Sequence, residues 1–191
     1  MNVIHISDLH FGPRHWIGNN QILIDKINSY EADIVINTGD NTSDGLEDEY
    51  SDAGNFLKSI RCKHVISTLG NHDKRSMRSH ELFRKYIYTP ELIAIPETTK
   101  TSKNYLFLDR EITMVQDNFT DINFIESIQI DGKTILIICI DSNELYNNDG
   151  YVEKEVLKAA SLKIKETDYD LPLLMTHHSV LGTDECPLKN S

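Results

Sequence analysis

The run His64-Val65-Ile66-Ser67-Thr68-Leu69-Gly70-Asn71-His72-Asp73 takes an apolar, β-branched strand into a glycine, then into three polar side chains able to bind metal or carry protons. In α/β sheets, chemistry gathers just outside the carboxyl ends of strands. Three other stretches end in the same way: Ile4-His5-Ile6-Ser7-Asp8-Leu9-His10, Ile34-Val35-Ile36-Asn37-Thr38-Gly39-Asp40 and Leu173-Leu174-Met175-Thr176-His177-His178. Core packing does not explain strand ends that deliver Asp/His, Asp, Asn/His and His. They read as one metal site.

Asp8 and His10 are two residues apart, which in an extended segment puts both on one side, where a carboxylate and an imidazole can share an ion. Asp40 has two oxygens and can bridge two cations, which two-metal sites hold about 3.5–4 Å apart. Asn71 offers an oxygen, and a late histidine, His177 or His178, offers a nitrogen. Such a pair of ions lowers the pKa of a bridging water and neutralises phosphoryl oxygens during in-line attack. His72, adjacent to a ligand but free itself, is suited to stabilise or protonate the leaving oxygen, with Asp73 orienting it. Lys74, Arg75 and Arg78 follow at once. Arg75, with its bidentate fork, is the candidate grip on a phosphate; a solvated helix start explains the cluster equally well. His5, His15, His64 and His80 read as satisfied core histidines.

The rest of the chain arranges itself around these ends. Val3 to Ser7 reads as a central strand covered on both faces. Leu23, Ile27 and Tyr30 mark one helix face, and Ile34 to Thr38 a second strand, parallel to the first through that crossover. Trp16 reads as a packing residue, with stacking on a substrate base as the alternative. Asp44 reads as a turn residue and Glu47-Asp48-Glu49 as a solvated helix start. Tyr50, Ala53, Leu57 and Ile60 form a helical stripe, and Leu82 to Ile87 continue another helix. Then the texture changes to a meander: 105–108, 112–115, 124–130 and 134–140, with Asp131-Gly132 as a hairpin signal. Asp141-Ser142-Asn143 reads as a loop more than as a pocket segment. A helix marked by Val152, Val156, Ala160 and Ile164 leads through Pro172 to the strand before His177.

With 191 residues, 39% hydrophobic and 26% charged, the chain is expected to fold as one globular domain over residues 1–178, with 179–191 as a tail. The net charge of −11 argues against a broad electrostatic grip on nucleic acid or an anionic membrane. Cys62, Cys139 and Cys186 form no CxxC pair and imply no disulfide framework. A strand that begins almost at the first residue leaves no room for a signal peptide, so a soluble, cytoplasmic protein is expected.

Asp8-x-His10, Gly39-Asp40, Gly70-Asn71-His72-Asp73 and His177, in this order and strand context, resemble the calcineurin-like metallophosphoesterases over essentially the whole chain. The resemblance implies an α/β fold in four layers, a two-sheet β-sandwich flanked by helices, with a dinuclear site at the strand ends. It implies that Asp8, His10 and Asp40 hold one divalent ion and Asp40, Asn71 and His177 the other, the ions being manganese, iron or zinc. His177 is chosen over His178 because the family's ligand comes first after the strand. His72 matches the catalytic histidine. The substrate implied is a phosphodiester or phosphomonoester, including nucleotides or nucleic acid. The Gly-Asn-His-Asp-Lys-Arg run is similar to members acting on cyclic nucleotides or other small phosphodiesters, so a phosphodiesterase is expected. A nuclease of the same family and a non-catalytic binding module are the alternatives. One departure stands out. The family closes its motifs with Gly-His-x-His, and only Ser179 to Ser191 follow His178. The expectation is the N-terminal and central part of a longer protein, C-terminally incomplete and weak in metal affinity, with a further C-terminal domain in the parent; a degenerate member is the alternative.

Overall fold

The structure, a computed structural model, describes residues 1–88 and 122–180. The strands expected at 105–108 and 112–115, Cys186 and most of the tail lie outside the described residues.

Among the described residues, six strands form two sheets. In the first, β1 (Val3–Ile6), β2 (Ile34–Asn37) and β3 (His64–Ser67) run parallel in the order β1-β2-β3. In the second, β4 (Phe124–Ile130) pairs antiparallel with β5 (Lys133–Cys139), which pairs parallel with β6 (Leu171–Met175). The β4–β5 turn is Asp131-Gly132, both at positive φ (51° and 75°), as a two-residue type I′ hairpin takes. The sequence reads β1 as a central strand covered on both faces. Among the described residues it pairs only with β2, and its side chains alternate between exposed and half-buried. Among the described residues, β2 is the strand of this sheet with a neighbour on each side.

Side-chain alternation builds the layers. Ile34 of β2 and Ile66 of β3 point into a core shared with Phe124, Ile128, Ile135 and Ile137 of the second sheet. Val35, one residue along, points the other way, onto α1 (Asn20–Asn28) and α2 (Glu47–Lys58) through Ile24, Ile27, Ala53 and Phe56. On the far side, Leu136 and Ile138 of β5 meet Val156, Ala159 and Ala160 of α4 (Lys154–Lys165). The architecture is therefore helices, sheet, sheet, helix, held by buried aliphatic side chains worth roughly 1.5–3 kcal/mol each. Helix α3 (Ser79–Tyr86) closes one end with Leu82 and Phe83 in the inter-sheet core.

Two helical expectations change in detail. Tyr30 lies beyond α1 and is exposed, the buried face being Ile24 and Ile27. The acidic start of α2 is not simply solvated. Glu49 is buried because its carboxylate accepts the backbone N–H groups of Asp44 (2.9 Å) and Leu46 (3.1 Å), capping the helix. Glu47 accepts from Lys85 Nζ (2.7 Å) and the Tyr86 hydroxyl (2.8 Å), joining α2 to α3.

Candidate metal centre

Parallel pairing continues past the ends of β1 and β2. Asp8 N–H donates to the Gly39 carbonyl (3.0 Å), and His10 N–H to that of Asp40 (2.9 Å). Within this extension Asp8, His10 and Asp40 all adopt left-handed backbone, with φ of 57°, 46° and 52°. The expectation that Asp8 and His10 share an extended segment is corrected: both backbones are turned. Their side chains still meet, His10 Nε2 standing 3.7 Å from Asp8 Oδ1. Left-handed geometry outside glycine costs of order 1–3 kcal/mol per residue and collects where function demands it. Gly70 lets the third strand end come close, since a Cβ there would collide with the Asp40 carboxylate.

Asp40 is the hinge of the site. Its side chain is almost fully buried, one oxygen lying 3.6 Å from His10 Nε2 and the other 3.6 Å from His177 Nε2. The Asp40 Oδ1 atom also accepts the His72 backbone N–H (2.8 Å). His177 Nδ1 lies 2.9 Å from the Thr38 carbonyl, which only accepts, so in the neutral ring Nδ1 carries the proton and Nε2 presents a lone pair. That lone pair faces the Asn71 amide oxygen at 3.1 Å, while the Asn71 amide NH2 donates to Asn148 Oδ1 (2.9 Å). An imidazole nitrogen, an amide oxygen and a carboxylate drawn together are a donor set that suits a divalent cation. The buried Nδ1 of His10 has no hydrogen-bond partner among the described residues. The residues thus fall into two groups that share Asp40: Asp8 and His10 on one side, Asn71 and His177 on the other.

Ligand atoms of His10, Asp40 and His72 lie within 4.8 Å of one another, and the His10 and His72 rings meet edge to face at 4.7 Å. His72 Nδ1 lies 2.7 Å from the Ser43 carbonyl, to which it donates. Two guanidiniums flank the ring: Arg14 lies 2.8 Å from Nδ1 and 3.2 Å from Nε2, and Arg75 lies 3.3 Å from Nε2. Arg14 escaped the sequence reading. Its only signal was a cation in the Gly12-Pro13 turn after His10. Arg75 does reach the site, steadied by Asp44 at 3.0 Å.

Asp73 does not orient the His72 ring. Its carboxylate is fully buried and accepts five hydrogen bonds: from the Gly70 N–H, the Asn41 N–H and amide, and the Thr42 N–H and hydroxyl. Its role is to knit the loop after β2 to the loop after β3. Burial holds this carboxyl above its ordinary range, against the donors from Gly70, Asn41 and Thr42. The rest of the cationic cluster points elsewhere. Lys74 is completely buried on Asp141 (2.9 Å), and Arg78 pairs with Glu81 and Glu47. Asp141-Ser142-Asn143 is accordingly a buried clamp between the sheets. His178 faces away from Asp40, its ring nitrogens on Ser142 and Asn148. Trp16 is half exposed, its indole N–H on Asn20 (2.7 Å).

The sequence profile of the calcineurin-like phosphoesterases matches residues 1–186, and the chain belongs to that family. A putative 5'-nucleotidase from Staphylococcus aureus superposes with a TM-score of 0.56 at 14% identity, covering 97% of this chain and 39% of that one. The NAD nucleotidase NadN of Haemophilus influenzae gives 0.50 at 17% identity, covering 96% and 39%. A hypothetical protein from Thermus thermophilus gives 0.50 at 15%, covering 91% and 56%. The chain thus spans between 39% and 56% of the length of these relatives. No curated protein sequence matches it significantly. Among the described residues, no helix is long and apolar enough to cross a membrane.

Proposed function

We propose that the protein hydrolyses phosphoesters with two divalent ions, one held by Asp8, His10 and Asp40, the other by Asp40, Asn71 and His177. The observation that supports this best is the pair of 3.6 Å approaches of the two Asp40 oxygens to His10 and His177, with the Asn71 oxygen 3.1 Å from the second histidine. When bound, the ions supply Lewis acidity toward water and phosphoryl oxygens. Manganese, iron or zinc suits this mixture of oxygen and imidazole donors. The side chains do the remaining work. His72 donates an Nδ1–H hydrogen bond to the Ser43 carbonyl, so Nε2 is the atom that exchanges a proton with the leaving oxygen. Arg14 and Arg75, both within 3.3 Å of that atom, bind the non-bridging oxygens.

The substrate we propose is a small phosphodiester. The net charge of −11 disfavours a long polyanion. A phosphomonoester such as a nucleotide is the second reading, because two guanidiniums beside His72 suit a dianionic group. We place the protein in the cytoplasm, with Cys62 and Cys139 as free thiols.

The test is hydrolysis of bis(p-nitrophenyl) phosphate and of p-nitrophenyl phosphate with and without Mn2+. Manganese-dependent turnover of the diester, abolished in Asp40→Ala, supports the reading. Preference for the monoester transfers it to phosphatase, and turnover indifferent to metal and to Asp40 overturns it.

A further inference from the structure

Asn71 differs from the other proposed ligands in one respect. Its amide is two-faced, and only one orientation gives a cation an oxygen. Turned over, it would aim an NH2 group at the pocket, and an NH2 group does not ligate. We infer that Asn148 is the positioning residue that fixes this choice, and that His178 latches the loop carrying it. The inference rests on the metal reading of the site.

The geometry is a short relay. Asn148 Oδ1 accepts the Asn71 Nδ2–H (2.9 Å), which leaves Asn71 Oδ1 facing the His177 lone pair at 3.1 Å. Asn148 belongs to the loop of residues 143–150 that follows β5. The loop is closed at its base by the Asn143–Gly150 bridge and by Tyr151 N–H donating to the Ser142 carbonyl (2.9 Å). His178 crosses from the end of β6 to hold it. Its Nε2–H donates to the Asn148 carbonyl (3.1 Å), and its Nδ1 accepts the Ser142 hydroxyl (2.9 Å). That hydroxyl oxygen in turn accepts the His178 backbone N–H (3.1 Å), so both ring nitrogens have one assigned partner. The ring lies on Gly150, where a Cβ would sit 2.6 Å from His178 Cγ, so a side chain at 150 would push the latch off. The adjacent histidines therefore divide the work: His177 faces the cation pocket and His178 sets the loop that aims Asn71.

Partners of metal ligands typically carry 10–100-fold of metal affinity. Because the Asn71–Asn148 bond is solvent-exposed, the lower end applies. Calorimetric titration of Mn2+ into wild type, Asn148→Ala, Asn148→Asp and His178→Phe tests this, alongside the melting temperature of each metal-free protein. Expected is a loss of about tenfold in one of two binding steps for Asn148→Ala and His178→Phe, with the other step and the metal-free melting temperature of Asn148→Ala unchanged. Asn148→Asp keeps an acceptor for Asn71 and restores the step. Two-step binding by the wild type that is unaltered in Asn148→Ala overturns the inference while sparing the metal reading. So does equal weakening of both steps with a lowered melting temperature, the mark of a merely structural role. A wild type that binds no Mn2+ overturns the metal reading itself, and this inference with it.

Discussion

His72 has one ring nitrogen committed to the Ser43 carbonyl and the other facing two guanidiniums, so a change at this residue should remove proton transfer without removing metal. His72→Ala is expected to lower kcat by about 10²–10⁴-fold, with Mn2+ binding retained in calorimetry; loss of metal would make it a ligand instead. Arg14→Ala should raise KM with little change in metal stoichiometry, measured by initial rates and titration on the same preparation. At this scale the sequence was informative where a residue's role follows from its position at a strand end. Asp8, His10, Asp40, Asn71 and His177 were expected to meet because each stands at a strand end, and the structure brings them together. Arg14 and Asn148 were not, because each acts by reaching a residue 58 or 77 positions away through a loop with no periodicity. Asp73 was misread for the opposite reason. Its place beside His72 suggested a partner, but folding turns its carboxylate inward to gather donors from two loops.

Among elements, the contact that ties the two sheets beneath the site is the buried pair Lys74–Asp141. It is extended by Lys74 Nζ donating to the Asn143 carbonyl (2.6 Å) and by the Asn143 amide donating to the Leu69 carbonyl (2.9 Å). Lys74 had looked like part of a surface cluster, since nothing local marks a lysine whose partner lies in the second sheet. Lys74→Met leaves Asp141 as an uncompensated buried charge and is expected to cost about 3–5 kcal/mol in denaturant unfolding. The double variant Lys74→Met/Asp141→Leu should recover much of that; no recovery would show that the cost lies in packing. The α2–α3 junction gives a pH signature. The Glu47 carboxyl is lowered to about 2, chiefly by the hydrogen bond from Lys85. A depressed acid contributes stability that is present above its unfolded pKa of 4.5 and lost as pH falls through about 2. The melting-temperature gap between wild type and Glu47→Gln should therefore close between pH 5 and pH 2 (roughly). Because the pair is exposed, 1 M salt should shrink it at neutral pH as well. A gap that persists at pH 2 contradicts the assignment.

For the whole molecule, the layered sandwich explains why so much of the fold was readable. Apolar runs such as Ile34-Val35-Ile36 feed two cores at once, and a chain with such strands needs helices on the outer face and a second sheet on the inner one. That β1 has a single strand neighbour among the described residues was not readable, because an apolar run does not reveal how many neighbours a strand has. Ion binding should also feed back on the fold. Mn2+ at 100 times its dissociation constant stabilises a protein that binds it only when folded by about 2.7 kcal/mol per site, so chelation should lower the melting temperature of a loaded sample. The central claim is that Asp40 stands between two ions. Its most direct measurement is the number of Mn2+ ions bound at saturation by the wild type and by Asp40→Ala. Two ions in the wild type, with binding lost at both positions in the variant, is the predicted result; a single ion, or an Asp40→Ala protein that still binds two, would contradict it.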